Sequence, residues 1–286
     1  YLFRTCVSKI MPEGPEIRQT ADMLARALQH REIEAFDLQH ASLSQSSHAF
    51  EGHQVTSVDC RGKALLTQLS SGYTLYSHNQ LYGVWKVTPR GKPLKTNRSL
   101  RLALHTQEHS AMLFSATDIS LWKTDEIEEH PFLKRLGPDV LATNTDAELI
   151  LTRLLGKSCR NRQLASLYLD QSFVAGLGNY LRSEILFFSG VNPADKPRNL
   201  NEAQVHALAK NTIKISQRSY RTSGVTLPKK YRPAIKKKSG RAYEQNRFAV
   251  FARAGKPCHF CATPVQKSIA TSRRIYWCPQ CQPRSE

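Results

Sequence analysis

Four cysteines near the carboxyl end of the chain have the spacing of a metal site. They form two CxxC pairs separated by sixteen residues: Cys258, Cys261, Cys278 and Cys281. Each pair presents two thiolates from one tight turn, and two such turns complete the tetrahedron that zinc prefers. Unrelated turns or a redox disulfide are the alternatives, but seven cysteines in all make a poor disulfide framework. We predict one structural Zn²⁺, because four thiolates leave no open position on the metal.

The stretch Met11-Pro12-Glu13 gains a chemical meaning if the methionine is an initiator. Removal of methionine before proline leaves a free secondary amine, and an α-amino group has a pKa of about 8. A useful fraction of that amine is neutral and nucleophilic near neutral pH, whereas a lysine needs stronger tuning. Alternatively, Pro12 only starts a helix whose dipole is complemented by Glu13 and Glu16. The residues alone favour this second interpretation.

Four further segments carry groups suited to a nucleic acid. Lys63 directly precedes a predicted strand, where it could act as a catalytic base, contact a phosphate, or simply be solvated. The Gln-Leu-Tyr turn at 80–82 either wedges into a base stack or packs on its neighbour. The Gly-Leu-Gly-Asn turn at 176–179 suits an anion at a helix start, although glycine turns are common in helical hairpins. Arg273 lies on a predicted hairpin between the cysteine pairs. The tip of this hairpin either binds a DNA groove or is a solvated basic turn.

The elements that must hold these groups change character along the chain. Apolar residues at helical spacing predict a helix over 17–28. Six strands follow, at 55–59, 64–69, 73–77, 82–87, 100–105 and 111–115, and their spacing predicts an antiparallel sandwich or barrel. Helices are predicted at 146–155, 163–173, 180–188 and 201–219, then a basic loop at 229–241 and a strand-like tail from Phe248. The boundary between the two halves falls between 125 and 145.

The composition indicates an acidic partner. Lysine and arginine total 41 against 23 acidic residues, a net charge of +18. Nucleic acid is the expected partner of such a charge, and no basic amphipathic helix favours a membrane surface. No apolar run approaches the roughly 18 residues of a membrane span, and residues 1–10 lack the features of a secretory signal. We therefore expect a soluble, intracellular protein.

Six motifs resemble, in one order, those of the formamidopyrimidine-DNA glycosylase and endonuclease VIII family. They are PEGPEIR at 12–18, RGKALLT at 61–67, LYSHNQLYGVW at 75–85, HPFLKRLGPDVL at 130–141, GLGNYLRSEIL at 176–186 and SRRIYWCPQC at 272–281. Chance could supply one of these motifs but not six in sequence. The HNQLYG stretch resembles the bacterial endonuclease VIII branch rather than the purine-directed one. The likeness runs from Met11 to about Gln282.

The resemblance implies an α+β protein with an N-terminal β-sandwich flanked by helices. The sandwich is followed by a helical domain with a helix–two-turn–helix and a zinc hairpin. The implied bounds are an extension at 1–11, a catalytic domain at 12–135, a helical DNA-binding domain at 136–247 and the hairpin at 248–286. Double-stranded DNA with damaged bases or abasic sites would lie in a basic cleft between the domains of a monomer. Such a bacterial protein is cytoplasmic and associates with the nucleoid through DNA.

The family's site residues carry over by position. Pro12 matches the Schiff-base nucleophile, Glu13 the proton donor that helps open the sugar, Lys63 the lysine of β-elimination and Arg273 the hairpin arginine of δ-elimination. The implied DNA contacts are Gln80, Leu81, Tyr82, Arg135 and Asn179. Glu16 and Glu184 lie near the site by analogy, without an assigned role. The implied enzyme is a bifunctional DNA glycosylase and abasic-site lyase of base excision repair, acting on oxidised bases, chiefly pyrimidines.

Residues 1–10 depart from the family pattern. An amide nitrogen at Pro12 has no available lone pair, so a chain that keeps the upstream residues cannot form a Schiff base. We expect that residues 1–11 are absent from the active protein. A non-catalytic zinc protein that binds damaged DNA is the alternative of another class. A zinc-dependent nuclease is a third, which the closed four-thiolate site disfavours.

Overall fold

The computed structural model describes residues 11–43, 46–232 and 246–285. The described chain divides into two compact units. One contains Glu13–Pro15 and the chain from Leu136 onward, and the other contains residues 11–12 and Glu16–Arg135. The predicted extension, apart from Met11, and positions 233–241 of the predicted basic loop lie outside the described residues. Within the described ranges, no helix is both long and apolar enough to cross a membrane.

Helix α1 (Gly14–Leu28) begins directly after the Pro12-Glu13 pair. Pro15 fits its first turn because the N–H that proline lacks would have no helical acceptor there. Ile17, Leu24 and Leu28 are fully buried along one face. They pack in a core that both sheets of the β-rich unit share, so the helix fixes the chain that follows Pro12.

Among its described residues, the β-rich unit has eight strands in two four-stranded antiparallel sheets. One sheet has the order β2-β3-β4-β8 and the other β1-β6-β7-β5. Both contribute apolar side chains to the same core, as the predicted sandwich requires. The strands are β1 (Ala35–Leu38), β2 (Val55–Arg61), β3 (Ala64–Leu69), β4 (Tyr73–His78), β5 (Val84–Pro89), β6 (Leu100–His105), β7 (His109–Phe114) and β8 (Asp118–Lys123).

The strand prediction was wrong in two respects. It missed β1 and β8, which pair with strands distant in sequence, β6 and β4. Their residues are mostly half-buried, so a clear alternation of apolar and polar residues is lacking. The prediction also started the fourth strand at Tyr82, whereas β5 begins at Val84. Tyr82 belongs to a turn that closes where the Gly83 N–H donates to the Asn79 carbonyl at 2.7 Å.

The other unit is mainly helical. Its elements are α2 (Ala147–Leu155), α3 (Leu164–Leu167), α4 (Asn179–Phe188), α5 (Glu202–Arg221), β9 (Gln266–Ala270) and β10 (Arg273–Trp277). Asp146, the first residue of the predicted 146–155 helix, caps α2 by accepting a hydrogen bond from the Leu149 N–H. Asn201 caps α5 in a reciprocal capping box with Gln204.

Two predictions for this unit were wrong. The predicted helix over 163–173 is only the four residues of α3, because Asp170 offers the backbone another acceptor. Its carboxylate takes hydrogen bonds from the Ser172 N–H at 2.8 Å and from Arg162 at 2.7 Å, which turns the chain out of the helix. The predicted strand-like tail from Phe248 runs instead through turns until β9 begins at Gln266.

Candidate active site

Glu13 is buried at the start of α4. Its Oε1 accepts a hydrogen bond from the Tyr180 N–H at 2.8 Å, and its Oε2 accepts one from the Leu181 N–H at 3.2 Å. The residue is only 3% exposed. The N–H groups of a first helical turn have no partner within the helix, and the helix dipole favours a negative charge there. The residue that follows Pro12 therefore has a fixed carboxylate group.

Two glycines, Gly178 of the 176–179 turn and Gly14, allow this segment and the turn to approach each other closely. A Cβ atom on Gly178 would lie 2.3 Å from the Cδ atom of Glu13, far inside contact distance. The Gly14 N–H donates to the Gly176 carbonyl at 2.8 Å, and a Cβ on Gly14 would lie 3.0 Å from the Gly176 Cα. The sequence suggested that the glycines of the turn suit an anion. In the structure Gly178 and Gly14 allow the Glu13-Gly14 segment to approach the turn, and the anion at the helix start is a carboxylate of the protein.

Lys63 lies in the two-residue turn that joins β2 to β3. Gly62 precedes it with a φ of +59°, a conformation that glycine adopts without strain. The next residue, Ala64, pairs across β3 and β4 with His78. Burial lowers the pKa of His78, and the positive charge of Lys63 lowers it further, while Asp118 opposes the shift. The turn thus holds Lys63 near a histidine that stays neutral at physiological pH.

The turn at 79–83 presents its apolar side chains to solvent. Leu81 is 54% exposed and Tyr82 is 68% exposed. The Gln80 N–H donates to Nδ1 of His78 at 3.0 Å, so neutral His78 holds the base of the turn. Gln80 has a φ of +47°, and its Oε1 accepts a hydrogen bond from Thr117 at 3.0 Å. A rigid turn with exposed apolar side chains is suited to insertion between bases.

Arg135 ends a short 3-10 helix, Leu133–Arg135, at the end of the β-rich unit. Leu133 of that helix is buried, whereas Arg135 is exposed. Its guanidinium lies over the ring of Phe132, 5.5 Å from the ring centre. Stacking on an aromatic ring leaves the guanidinium N–H groups free to donate in the plane of the group.

Asn179 is the first residue of α4, beside the backbone groups that bind Glu13. Its Oδ1 accepts a hydrogen bond from Nη2 of Arg182, one turn later, at 2.6 Å. Arg182 is fully buried, and burial lowers its pKa to about 10, so the guanidinium remains charged at neutral pH. Glu13 favours this charge and Arg273 opposes it. One buried cation therefore lies near three residues of the predicted site.

The four cysteine sulfurs lie within 4.8 Å of one another. The Cys261 sulfur is 3.4 Å from those of Cys278 and Cys281, and the Cys258 sulfur is 4.0 Å from that of Cys281. A tetrahedral shell with Zn–S bonds of about 2.3 Å requires sulfurs roughly 3.8 Å apart. The Phe260 N–H also donates a hydrogen bond to the Cys258 sulfur at 3.4 Å, and metal-bound thiolates commonly accept such hydrogen bonds from the backbone. The donor set fits one zinc ion.

The hairpin between the cysteine pairs consists of β9 and β10. Thr271 and Ser272 form its two-residue turn with φ values of +50° and +59°, the signs that a type I′ turn needs. Arg273 is the first residue of β10 and pairs with Ala270. Its side chain is exposed, while Ile275 and Tyr276 are buried farther along the strand. The hairpin thus exposes Arg273 near its turn, while its buried β10 residues lie farther from the turn.

The two glutamates without an assigned role differ in their surroundings. Glu16 lies half-buried in the first turn of α1. Glu184 is fully buried, and its carboxylate accepts hydrogen bonds from the N–H groups of Ala249, Val250 and Phe251 at 2.8–2.9 Å. Burial raises the pKa of Glu184, and these hydrogen bonds oppose the rise. Glu184 therefore ties α4 to the chain that leads into the cysteine pairs.

The predicted site residues form two groups, one in each unit. In the helical unit, Glu13, Asn179 and the Arg273 hairpin surround Arg182. In the β-rich unit, Lys63 and the 79–83 turn adjoin His78. Half-buried Pro12 is the last residue of that unit's first segment, and exposed Arg135 is the last residue of its second segment. The sequence predicted no role for His78 or Arg182, and it predicted that Gly178 approaches a phosphate rather than Glu13. A charged residue inside the apolar run YLRSEILFF was the available signal for Arg182.

Family models and curated relatives match this chain to the same family over nearly its whole length. The model of the formamidopyrimidine-DNA glycosylase N-terminal domain matches residues 11–118, and that of the formamidopyrimidine-DNA glycosylase H2TH domain matches residues 136–230. Endonuclease 8 from Shigella sonnei and from Escherichia coli are each 44% identical over 272 residues. Each alignment covers 95% of this chain and 100% of the relative.

Solved structures show the same fold. Lactococcus lactis formamidopyrimidine-DNA glycosylase, bound non-covalently to DNA containing an abasic site, has a TM-score of 0.77 at 21% identity over 95% of this chain and 100% of that one. The same enzyme with N7-benzyl-Fapy-dG DNA has a TM-score of 0.78 at 22% identity over 96% and 100%. These matches confirm the predicted fold, and the family models and relatives confirm the resemblance. The chain belongs to the formamidopyrimidine-DNA glycosylase and endonuclease VIII family of DNA-repair enzymes.

Proposed function

We propose that this chain removes oxidised bases, chiefly oxidised pyrimidines, from double-stranded DNA and then cuts the strand at the abasic site. As a member of its family it is a DNA glycosylase and DNA-(apurinic or apyrimidinic site) lyase of base excision repair. Its relatives named endonuclease 8 and its HNQLYG turn support the pyrimidine preference. The net charge of +18 suits a DNA partner.

The observation that carries the proposal is the buried carboxylate of Glu13, the residue that follows Pro12 in the sequence. Two backbone N–H groups at the start of α4 hold this carboxylate in place. Base excision needs a nucleophile at the sugar C1′ and a proton for the sugar ring oxygen. Adjacent residues supply both if the Pro12 nitrogen is a free amine and Glu13 delivers the proton. The helix start fixes the carboxylate in one position, so proton delivery requires little reorganisation.

The reaction begins at the C1′ atom of the flipped nucleotide. The Pro12 nitrogen forms a bond to C1′ as the bond from C1′ to the base breaks, and the departing base takes a proton from water. The Glu13 carboxylate accepts the proton that the Pro12 nitrogen loses and passes it to the ring oxygen, so that the sugar opens and an iminium ion forms at C1′. That cation acidifies the C2′ hydrogen, which Lys63 removes as the 3′ phosphate leaves. Arg273 assists the later loss of the 5′ phosphate, and water releases the sugar fragment from Pro12.

This chemistry requires an active form that begins at Pro12. The nitrogen of an internal proline is an amide and does not attack carbon, whereas a terminal proline nitrogen has a pKa of about 8. Removal of Met11 and everything before it therefore generates the nucleophile. The N-terminal family model starts its match at residue 11, which supports this starting point.

The remaining site residues would bind and distort the DNA. Leu81 and Tyr82 would fill the space of the flipped nucleotide, because they are the exposed apolar side chains of a rigid turn. Gln80, Arg135 and Asn179 would contact the DNA around that gap. The four cysteines would hold one zinc ion, which adds no chemistry to the reaction and keeps the Arg273 hairpin folded. We expect a monomer that acts in the bacterial cytoplasm on nucleoid DNA.

Borohydride trapping tests the proposal, because borohydride reduces a Schiff base to a stable amine. A form that begins at Pro12 should yield a covalent adduct with duplex DNA containing an abasic site. The matched form that keeps residues 1–11 should bind the same DNA without an adduct. Equal trapping by both forms would refute the role of Pro12. Tight binding without trapping by either form would leave a non-catalytic protein that binds damaged DNA.

The lesion preference needs a separate measurement. Matched duplexes with one oxidised pyrimidine or one oxidised purine at the same position should differ in single-turnover rate. We expect the pyrimidine lesion to be released faster. Faster release of the purine lesion would contradict the proposed preference and leave the Pro12 mechanism intact.

A further inference from the structure

Arg182 is a charge in the apolar interior of the helical unit. It is 0% exposed in α4, where its neighbours Leu181, Ile185 and Leu186 are also fully buried. Burying a guanidinium is unfavourable unless its N–H groups find acceptors. Its Nε is buried without an acceptor among the described residues. Since an apolar side chain of similar volume fills such a site without that penalty, stability alone does not explain this arginine.

The other nitrogens of Arg182 connect three parts of the helical unit. Nη1 donates to the Ala165 carbonyl in α3 at 2.7 Å. Nη2 donates to the Asn179 Oδ1 at 2.6 Å and to the Arg274 carbonyl in β10 at 3.1 Å. A single nitrogen thus contacts both the residue that opens α4 and the strand that carries Arg273.

The contact with Arg182 determines which way the Asn179 amide points. A guanidinium only donates hydrogen bonds, so the atom of Asn179 that faces it must be the carbonyl oxygen. The amide nitrogen of Asn179 then points away from Arg182 with its two N–H donors. Donors at a helix start are suited to a phosphate oxygen. The opposite orientation would present a carbonyl oxygen to the phosphate and repel it.

We propose that Arg182 is a positioning residue, whose buried guanidinium orients the Asn179 amide as a phosphate donor and holds the base of the hairpin that carries Arg273. This inference rests on the proposed function, in which Asn179 and Arg273 act on DNA. It adds a single group that sets both residues without touching the DNA itself.

The first test leaves Arg182 intact and changes Asn179. Asn179→Asp keeps an acceptor for Arg182 but replaces the outward N–H donors with a negatively charged oxygen. Its thermal midpoint should equal or exceed that of the wild type, because Arg182 gains a charged partner. Its affinity for a duplex with a tetrahydrofuran abasic analogue should fall about tenfold below that of Asn179→Ala. Equal affinities of the two variants would overturn the proposed orientation.

The second test changes Arg182 and uses Arg218 as the control. Arg218 donates to the Thr226 carbonyl at 2.8 Å and lies over Phe188, so Arg218→Gln also removes one charge and one carbonyl contact. Arg182→Gln should weaken binding of the tetrahydrofuran duplex about tenfold or more and lower the δ- to β-elimination product ratio. Arg182→Lys should restore part of both, and Arg218→Gln should change neither.

A double-mutant cycle separates positioning from general damage. In the Arg182→Gln background, Asn179→Ala should weaken binding by less than about threefold, because the amide has already lost its orientation. Full additivity would overturn the inference. If Arg182→Gln fails to fold, the Asn179 pair decides. Absence of borohydride trapping by the wild-type form that begins at Pro12 would refute the proposed function, whereas the binding measurements need no catalysis and judge Arg182 separately.

Discussion

Replacing Gly178 with alanine should expel the Glu13 carboxylate from the start of α4. The backbone at Gly178 is extended, with φ −145° and ψ −155°, so alanine does not need a left-handed conformation there. Its Cβ, however, would lie 2.3 Å from Glu13 Cδ and 2.5 Å from Oε1. A glutamate side chain is flexible and can rotate away. The substitution therefore relieves the steric clash only if Glu13 gives up its hydrogen bonds to the Tyr180 and Leu181 N–H groups.

The cost to stability follows from those two bonds. A hydrogen bond to a charged group contributes about 1.5–3 kcal/mol, and water can replace part of it once the carboxylate moves. We expect the free energy of unfolding to fall by about 2 kcal/mol in urea titrations. Gly156→Ala is the matched control in the same unit. Gly156 has a negative φ, and its Cβ would approach nothing closer than 3.3 Å, so its cost should stay below about 0.5 kcal/mol.

The effect on activity should be selective. Base excision needs the proton from Glu13 to open the sugar, so Gly178→Ala should lower the single-turnover excision rate about 100-fold or more. An abasic site already exists partly as an open aldehyde, which Pro12 can attack without that proton. Cleavage of abasic DNA should therefore fall by less than about tenfold.

A double-mutant cycle can refute this reasoning. In the Glu13→Ala background the clash has no partner, and Gly178→Ala should then change the free energy of unfolding by less than about 0.5 kcal/mol. The same loss of about 2 kcal/mol in both backgrounds would show that Gly178 acts through something other than Glu13. Normal base excision by the single variant Gly178→Ala would refute the role of a fixed carboxylate.

Three further predictions concern other parts of the site. Replacing both Leu81 and Tyr82 with alanine should change the thermal midpoint little, because both are exposed, yet slow excision from duplex DNA about tenfold or more; equal rates would exclude a wedge. Cys261→Ser should reduce bound zinc, measured by atomic absorption, from one per chain towards none and abolish DNA binding, whereas retention of both would place the metal elsewhere. Burial lowers the pKa of His78 and of His130 in the folded state. As the pH falls, these histidines are therefore protonated in the unfolded state before they are protonated in the folded state. The free energy of unfolding should decrease as the pH drops below about 6.5 and level off below the folded-state pKa values. Urea titrations from pH 7.5 to 5 test this, and a slope unchanged in His78→Gln would exclude His78 as a source.

Local chemistry accounts for the elements that the sequence predicted well. Helix α5 follows from the Asn201 cap and its apolar periodicity, and α1 from Pro15 and its buried face. The metal site follows from cysteine spacing alone, because two CxxC turns need only a hairpin between them to meet. Such features depend on neighbours in sequence, and the structure confirms the two helices and the clustering of the four cysteines.

The features that the sequence did not reveal depend on distant partners. Strand β8 forms because β4 offers it an edge, and no local pattern signals that pairing. Residues 249–251 turn instead of extending, because the distant Glu184 carboxylate collects their N–H groups. Arginine is ordinarily exposed, and although the apolar run around Arg182 indicates that it is buried, only the fold shows that it lies between Asn179 and the hairpin.

The central claim is that the terminal nitrogen of Pro12 is the atom that attacks DNA. Mass spectrometry of the borohydride-trapped adduct, after digestion of protein and DNA, tests it most directly. The account predicts that the sugar fragment is attached to a peptide whose first residue is Pro12, in a protein that lacks residues 1–11. Attachment to Lys63 or another lysine, or full activity in a protein that keeps the upstream residues, would contradict it.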